Sequence, residues 1–339
     1  MPANLTPEYK AAEAAYRKAR DARERLECLR EMLRTMPKHK GTDHLQAEVK
    51  TRIRELTEEL AGPKKGGAHT GPATVIRPEG AAQVSLLGPP NAGKSSLHAR
   101  LTASSAPVGP YPFTTQYPQP GMLPYEDIAF QLVDLPPITP EHPVVWLGGA
   151  LQPADAALLV VDLGDPACVD QVAALHAVLS ERRVTLTEHW GPAPAGSAGS
   201  HEGDPFAVLL PALILANKAD RIRDLAGELQ VFRELTGVRY PALAVSAETG
   251  QGLGEVGPWL FRSLGVVRVY TKAPGRPPDR DRPFTLRRGQ TVLDVARLVH
   301  KDLAESLKYA RLWRTGEANG LQIGRDHPVT DGDVVELHI

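Results

Sequence analysis

The chain has 339 residues, of which 42 % are hydrophobic and 23 % are charged, and its formal net charge is −1. This length allows two or three domains of ordinary globular composition. The two cysteines, Cys28 and Cys168, exclude a disulfide framework and a cysteine-based zinc site. We expect a cytoplasmic protein without a signal peptide. The longest apolar run, residues 206–216, is too short to span a bilayer and contains a proline.

Charge is unevenly distributed along the chain. Basic residues outnumber acidic ones in residues 1–65 and again in 268–339, whereas acidic residues predominate in 66–267. Solvated helix faces and contacts with a polyanion both explain the two basic ends, and the sequence leaves this choice open.

The N-terminal part is predicted to be an antiparallel helical hairpin over residues 1–65. Residues 6–36 read as one long helix, with Thr6 as its N-cap and Pro7 as its first residue. After the breaker PKHKG, a second helix begins near Thr42, and its spacing places the apolar residues on one stripe. The stripe consists of Leu45, Val49, Ile53, Leu56 and Leu60. It is interpreted as the seam of the hairpin, and a partner-binding surface is the alternative.

The central part, residues 66–267, is predicted to be an α/β domain. Short apolar runs alternate with helical stretches from about residue 75, which favours a mostly parallel sheet flanked by helices. The Gly/Pro/Lys-rich residues 61–72 indicate a linker before this domain. The low-complexity residues 189–205 indicate a surface insertion within it.

The C-terminal part, residues 268–339, is predicted to be a small sheet crossed by one helix. The runs VRVYTK, FTLRRG and DVVELHI favour strands, and the helix is placed from Val292 to about Leu303. TDGD supplies the turn before the last strand.

A phosphate-binding loop is predicted from Gly88 to Ser95. The segment GPPNAGKS fits the pattern G-x-x-x-x-G-K-[ST], directly after a strand and at the start of a helix. Backbone N–H groups there are expected to cradle phosphates, and Lys94 is expected to reach the β and γ oxygens. The predicted nucleotide-binding residues of this loop are Asn91, Ala92, Gly93, Lys94, Ser95 and Ser96.

Two later loops predict specificity for guanine. NKAD follows the apolar strand LILA. Its Asp220 can accept hydrogen bonds from the N1–H and the exocyclic amine of guanine, and adenine offers no matching pair of donors. Asn217 is expected to tie this loop to the phosphate loop, and the Lys218 stem to lie along the base. In VSAETG, the backbone N–H groups near Ser246 and Ala247 are expected to meet guanine O6.

A magnesium site is predicted from three oxygen-bearing side chains. The Ser95 hydroxyl is one ligand, and Asp134 in LVDLPPI is expected to hold a magnesium-bound water. In the loop YPFTTQYP, Thr115, or alternatively Thr114, is expected to reach the metal when a γ-phosphate is bound.

The segment after Asp134 has an unusual sequence for a γ-phosphate sensor. Pro137 stands where a backbone N–H is expected to meet the γ-phosphate, and proline has none to donate. Such a contact is worth roughly 1.5–3 kcal/mol, so its loss narrows the affinity difference between nucleotide states by up to about a hundredfold. The alternative is that the Ile138 N–H takes over. The Ile138 side chain cannot orient water, so slow hydrolysis is expected.

The motifs GPPNAGKSSL, YPFTT, LVDLPPI and NKAD resemble those of the Obg-related GTPases. The segment KHKGTDHLQAEVKTRIREL looks like the N-terminal helical element of the developmentally regulated GTP-binding protein type. The C-terminal segment is similar to the TGS domain of that type, a ubiquitin-like β-grasp module. The chain departs from the family in two respects: it reads DLPP instead of DLPG, and the additional domain inside the GTPase domain is missing.

The resemblance implies a P-loop GTPase domain between a helical hairpin and a TGS domain, associated with ribosomes or structured RNA. Asn91 matches the asparagine with which potassium-stimulated relatives hold a monovalent cation. Lys94 and Asn91 are therefore the predicted catalytic residues, and GTP or GDP, Mg²⁺ and K⁺ are the expected cofactors.

Two functions remain open from the sequence. The leading hypothesis is a slow GTPase whose basic ends contact a ribosome or structured RNA. Its candidate phosphate contacts are Arg276, Arg280, Arg282, Arg287 and Arg288. The alternative is a nucleotide-stabilised adaptor that binds GDP or GTP with little turnover and docks a protein partner through its TGS and helical domains. No membrane partner is expected.

Overall fold

The computed structural model describes residues 6–19, 22–37, 42–60, 74–102, 115–191, 206–313 and 320–339. The predicted linker at 61–72 and most of the predicted insertion at 189–205 lie outside these residues. The chain divides into two compact units. One unit comprises Met1–Ala73 and Ala195–Ala207, and the other comprises Thr74–Pro194 and Val208–Ile339.

The first unit contains α1 (Pro7–Lys18), α2 (Ala22–Thr35) and α3 (Asp43–Leu60). The prediction of one helix over residues 6–36 is wrong, because α1 ends at Lys18 and Ala19 has an extended backbone with ψ 128°. The predicted N-cap is confirmed: Thr6 accepts a hydrogen bond from the Tyr9 N–H at 3.1 Å. Thr6 also donates to the Thr35 carbonyl at 3.1 Å, so the start of α1 lies beside the end of α2. The two helices are therefore antiparallel.

Burial of apolar side chains explains why the predicted long helix folds back on itself. Tyr9 and Tyr16 of α1 share one apolar cluster with Leu29 and Met32 of α2. A single straight helix would leave these side chains in water, at a cost of roughly 1.5–3 kcal/mol for each large one. The stripe on α3 packs in the same cluster through Leu45, Val49, Ile53 and Leu56. The internal seam is confirmed for these four residues, whereas Leu60, the fifth residue of the predicted stripe, is exposed.

The central domain is a seven-stranded sheet in the order β2-β3-β1-β4-β6-β5, with β7 also paired to β6. The strands are β1 (Gln83–Leu87), β2 (Gln119–Tyr125), β3 (Ile128–Asp134), β4 (Ala156–Asp162), β5 (Val184–Thr187), β6 (Val208–Asn217) and β7 (Ala242–Ala244). The helices are α4 (Lys94–Thr102), α5 (Leu147–Leu151), α6 (Cys168–Glu181), α7 (Leu225–Thr236) and α8 (Val256–Ser263). All strand pairs are parallel except β2 with β3.

This sheet has an apolar core on each face. Two cores are expected because the apolar strands predicted from the sequence alternate with helices that cover both faces. Leu158 and Val160 of β4 contribute to one core, whereas Leu159 and Val161 contribute to the other. Strands buried on both faces are typical of parallel sheets covered by helices. The carboxyl ends of β1, β3, β4 and β6 meet at one edge, and the loops that follow them form the candidate site.

The C-terminal domain is a five-stranded sheet in the order β11-β10-β12-β8-β9. The strands are β8 (Val266–Thr271), β9 (Asp279–Arg287), β10 (Tyr309–Trp313), β11 (Leu321–Ile323) and β12 (Asp333–His338). The predicted helix is confirmed but is interrupted at His300, which has an extended backbone and separates α9 (Val292–Val299) from α10 (Lys301–Ser306).

Polar contacts connect the central and C-terminal domains. Arg268 of β8 forms ion pairs with Glu126, with Asp127 at 2.9 Å and with Asp331 at 2.8 Å. Tyr270 donates to Asp127 at 2.5 Å. Glu126 and Asp127 form the turn between β2 and β3, so the C-terminal sheet holds the end of this hairpin.

Arg287 belongs to the same interface. Its guanidinium donates to the Ala81 carbonyl at 3.0 Å and lies 3.3 Å from the Asp155 carboxylate. The interpretation of Arg287 as an RNA contact is therefore wrong, because the side chain already serves the domain interface. Arg276, Arg280, Arg282 and Arg288 are exposed.

Candidate nucleotide-binding site

The loop after β1 has the backbone of a phosphate cradle, and two glycines make it possible. Gly88 has φ 151°, and a Cβ there would lie 2.5 Å from the Val160 carbonyl oxygen. Gly93 has φ 92°, and a Cβ there would lie 2.2 Å from Nδ2 of Asn217. Any larger residue would push the loop away from the sheet edge. Asn91 has φ 59° and is exposed.

Lys94 folds back over this loop from the first position of α4. Its Nζ donates to the carbonyl oxygens of Gly88 at 3.0 Å and Pro89 at 2.9 Å. Burial lowers the pKa of Lys94 to about 8, although the nearby Asp134 carboxylate partly offsets this effect. An ammonium group has three donors, so one N–H remains for a ligand in the cradle.

The three predicted magnesium ligands lie together at the ends of β1 and β3. The Ser95 hydroxyl donates to Asp134 Oδ2 at 2.6 Å and lies 3.0 Å from the Thr115 hydroxyl. Thr115 also donates to Asp134 Oδ2, at 3.2 Å. The alternative ligand Thr114 lies outside the described residues.

This oxygen cluster fits a hard divalent cation. Asp134 is 2 % exposed, and its Oδ1 is buried with no partner among the described residues. A buried carboxylate oxygen without a partner is costly, and a cation that prefers oxygen ligands would satisfy it. Clusters of three or more His, Cys, Asp or Glu side chains suited to a metal are absent from the described ranges. Ser95, Thr115 and Asp134 are therefore the residues that would hold magnesium.

Asn217 joins the loops after β1, β6 and β7. Its Nδ2 donates to the Ala92 carbonyl at 2.8 Å, and its Oδ1 accepts from the Ala247 N–H at 3.1 Å. The side chain is 1 % exposed. The predicted tie from Asn217 to the phosphate loop is therefore present, and it extends to a third loop that the sequence did not connect with it.

The loop with Asp220 and the loop after β7 face each other. Asp220 lies in a single turn of 3₁₀ helix after β6. Arg221 lies 3.8 Å from the Asp220 carboxylate and donates to Glu248 at 2.8 Å, which connects the two loops. Asp220 is thus placed beside the loop that was predicted to meet guanine O6.

The predicted O6 donors need a correction. The Ser246 N–H donates to the Gln251 carbonyl at 2.9 Å, and the Ala247 N–H donates to Asn217. Both amides already have partners within the protein, because the turn closes on itself and on Asn217. The contact between this loop and guanine O6 stays a prediction, and neither of these two amides is free to make it in this structure.

Comparison with known proteins agrees with this arrangement. Residues 83–188 match the family model described as 50S ribosome-binding GTPase, and residues 267–339 match the TGS domain. An uncharacterized GTP-binding protein of Methanocaldococcus jannaschii is 26 % identical, over 93 % of this chain and 92 % of that protein. Developmentally-regulated G-protein 1 of Arabidopsis thaliana is 27 % identical, over 91 % of this chain and 88 % of that protein. The chain is an Obg-related GTP-binding protein with a TGS domain.

A solved structure supports the fold of this Obg-related protein. The YchF GTPase of Schizosaccharomyces pombe matches with a TM-score of 0.50, at 13 % identity, over 79 % of this chain and 100 % of that chain. The fold class predicted from the sequence is thereby confirmed for the P-loop GTPase and TGS domains. Within the ranges that the structure describes, no helix is long and apolar enough to cross a membrane.

The segment after β3 is buried in this GTP-binding protein. Leu135, Pro136, Pro137 and Ile138 are all buried. Ile138 is 2 % exposed and belongs to the same apolar core cluster as Leu147 and Leu151 of α5. Its side chain is therefore part of the core, and the segment is buried at the position where the sequence predicted a missing γ-phosphate contact.

Asp162 is a charged residue beside the guanine loop that was not predicted from the sequence. Lys218 Nζ forms a 2.7 Å ion pair with Oδ2 of Asp162, the last residue of β4. The sequence shows only that the runs AALLVVD and LILAN each end in a polar residue. Their register, which pairs Asp162 with Asn217, emerges only from the sheet order.

Proposed function

We propose that this chain binds GTP and GDP and is a slow, magnesium-dependent GTPase that acts with a ribosome or structured RNA. One observation carries the nucleotide assignment: Asn217 joins the phosphate loop to the loops that carry Asp220 and Ala247. That contact supports the proposal, because it joins the loop that we assign to phosphate binding to the loops that we assign to purine recognition.

Phosphate binding is assigned to the main chain and two side chains. The N–H groups from Asn91 to Ser96 and the amino end of α4 would surround the phosphates, and Lys94 would supply positive charge. When bound, magnesium would neutralise charge on the phosphate oxygens. The buried Asp134 Oδ1, which has no partner in the described part of the chain, supports the proposed position of the magnesium ion.

Guanine recognition is assigned to Asp220. Its carboxylate would accept two hydrogen bonds from the base, and the Lys218 stem would cover one face of the ring. Because Ser246 and Ala247 are already engaged, we assign O6 to the next N–H in the turn, that of Glu248.

Slow hydrolysis is proposed because this chain provides little help to the attacking water. Pro137 has no N–H for the γ-phosphate, and the Ile138 side chain is buried in the core. A monovalent cation held by Asn91 would supply positive charge near the phosphates. Equal hydrolysis rates in sodium and potassium buffers would contradict that part of the proposal.

Contact with a ribosome or structured RNA is proposed from the exposed arginines of the TGS domain. Arg276, Arg280, Arg282 and Arg288 remain exposed, whereas Arg287 does not contribute. The match of residues 83–188 to a family described as ribosome-binding supports the same partner. Phosphate contacts make such binding depend steeply on salt.

The decisive experiment is titration of GDP and a non-hydrolysable GTP analogue into the natural chain and into Lys94→Ala, followed by single-turnover GTP hydrolysis. We expect binding and hydrolysis in the natural chain, and loss of both in Lys94→Ala. Lys308→Ala, an exposed lysine outside the site, is the matched control. Binding without hydrolysis, with or without ribosomes, would favour the adaptor hypothesis.

Cosedimentation with ribosomes tests the partner. We expect binding at low salt that weakens in Arg280→Ala/Arg282→Ala and survives in Arg297→Ala, which alters an exposed arginine on α9. Failure of the natural chain to cosediment at low salt would count against the ribosomal assignment.

A further inference from the structure

We propose that Asp162 is a positioning residue of the guanine site, which holds Lys218 so that its stem forms a fixed wall for the purine. This inference rests on the proposed nucleotide binding. Nothing in the sequence motifs assigns a role to Asp162, which lies at the end of β4.

The sheet places Asp162 where it can act on Lys218. Strands β4 and β6 are parallel neighbours, and Asp162 pairs in register with Asn217, the residue that precedes Lys218. Both carboxylate oxygens are engaged: Oδ2 is 2.7 Å from Lys218 Nζ, and Oδ1 accepts the Gly164 N–H at 3.0 Å. The hydrogen bond from the Gly164 N–H therefore orients the Asp162 carboxylate that pairs with Lys218.

The backbone of Lys218 shows that its direction is imposed. Lys218 has φ 59° and ψ 30°, a left-handed conformation that residues with a side chain rarely adopt. Such conformations persist where surrounding contacts hold them, and they cluster at ligand sites. Here the Asn217 contacts fix the residue before Lys218, and the Asp162 ion pair fixes the far end of its side chain.

Preorganisation gives this ion pair a function beyond a surface salt bridge. The Lys218 and Asp162 side chains are 30 % and 19 % exposed, so solvent screens the pair only in part. A lysine stem has several rotatable bonds, and its ordering opposes ligand binding unless it is already held. Asp162 removes that cost for the base. An isolated exposed pair would instead leave nucleotide affinity unchanged.

A double-mutant cycle on GDP affinity tests this role. Affinities are measured for the natural chain, Asp162→Ala, Lys218→Ala and the double variant, with Asp162→Asn as a second substitution that keeps an acceptor for Gly164. We expect Asp162→Ala to weaken GDP and the GTP analogue equally, by about five- to twentyfold, and to have almost no effect in the Lys218→Ala background. Asp162→Asn should fall between Asp162→Ala and the natural chain.

Asp170→Ala, an exposed carboxylate on α6, is the control and should bind GDP normally. An equal loss of affinity from Asp162→Ala in both backgrounds would show a general structural effect and overturn the inference. Unchanged GDP affinity in Asp162→Ala would also overturn it and leave the proposed function intact. Absence of GDP binding in the natural chain would remove the proposed function together with this inference.

Discussion

The Ser95 hydroxyl donates a 2.6 Å hydrogen bond to the Asp134 carboxylate, across 39 positions of sequence. This bond joins the start of α4 to the end of β3. The same carboxylate oxygen accepts from Thr115, whereas its other oxygen is buried without a partner in the described part of the chain. Three oxygen-bearing side chains are therefore assembled at one buried carboxylate, which has one oxygen left for a further ligand.

Asp134→Asn is expected to remove the magnesium dependence of nucleotide binding. An amide has no charge with which to attract a divalent cation, so affinity for the GTP analogue with magnesium should fall at least about tenfold. GDP affinity in the absence of magnesium should change less than about twofold, because the amide oxygen can still accept the hydrogen bond from Ser95 and the main-chain N–H groups of the phosphate loop are unchanged. Calorimetry with and without magnesium measures both quantities.

Asp170→Asn, which changes a carboxylate on the surface of α6, is the matched control for this measurement. A magnesium effect that persisted unchanged in Asp134→Asn would show that the metal is held elsewhere.

Pro137→Gly is expected to improve discrimination between nucleotide states. Glycine restores an N–H at the position of the missing γ-phosphate contact. One charge-assisted hydrogen bond corresponds to roughly a ten- to hundredfold rise in the affinity ratio of the GTP analogue to GDP. The ratio is measured by competition against a fluorescent GDP derivative. Pro140→Gly, at an exposed proline of the same loop, controls for flexibility. If both variants gave the same ratio as the natural chain, another N–H would already make this contact.

Asp220→Asn is expected to exchange guanine for xanthine. Guanine presents two donors to the carboxylate, whereas xanthine presents one donor and one carbonyl acceptor, which an amide can match. GDP affinity should fall at least about a hundredfold, because a polar group in the site is left without its partner. Xanthosine diphosphate should bind more tightly to the variant than to the natural chain. Retention of the natural preference for GDP would place base recognition outside Asp220.

Arg268→Ala is expected to destabilise the joint between the GTPase and TGS domains. The guanidinium is 16 % exposed and faces three carboxylates, so its loss should lower the free energy of unfolding by about 2 kcal/mol. Urea unfolding provides the measurement. Arg297→Ala, which breaks an exposed pair with Asp294 within α9, should cost less than about 0.5 kcal/mol. Equal losses of unfolding free energy in the two variants would show that the Arg268 ion pairs between the domains do not contribute to stability.

The contribution of Arg268 should disappear in acid. Burial alone would raise the pKa of Asp331 and of Asp127, but hydrogen bonds from Arg268 and, for Asp127, from Tyr270 leave both pKa values below the usual range. The unfolded chain therefore binds protons more readily than the folded chain. The stabilisation is complete above the unfolded pKa of about 4 and is lost as pH falls through the lower folded values. Urea midpoints of the natural chain and Arg268→Ala should differ at pH 7 and converge in acid, below the lowered folded pKa values of Asp127 and Asp331.

Much of the candidate site was predictable from the sequence because its chemistry is local. A phosphate loop needs glycines at two positions, a lysine and a hydroxyl at fixed spacing, and a strand and helix on either side. Gly88, Gly93, Lys94 and Ser95 supply these within eight residues. The N-cap at Thr6 was predictable for the same reason, because capping joins residues only a few positions apart.

Contacts between distant segments were not predictable in this way. The sequence could not show that α2 folds back on α1, because Ala19 and its neighbours carry no Gly or Pro signal for a break. It also could not show that the Ser246 and Ala247 amides are already taken, or that Arg287 turns to Asp155. Each depends on which side chains meet when distant segments pack, in the helical unit for α1 and α2 and in the two sheets for the other contacts.

The sequence by itself determined the succession of strands and loops along the chain and the residues of the phosphate and guanine motifs. It also determined that Pro137 has no N–H. These follow from residue type and from spacing over a few positions. The tertiary structure alone decided that Asp162 meets Lys218, that Asn217 connects three loops and that Arg268 holds the β2–β3 turn. Sheet order and register set these partners, and both follow from the burial of many side chains along the whole chain.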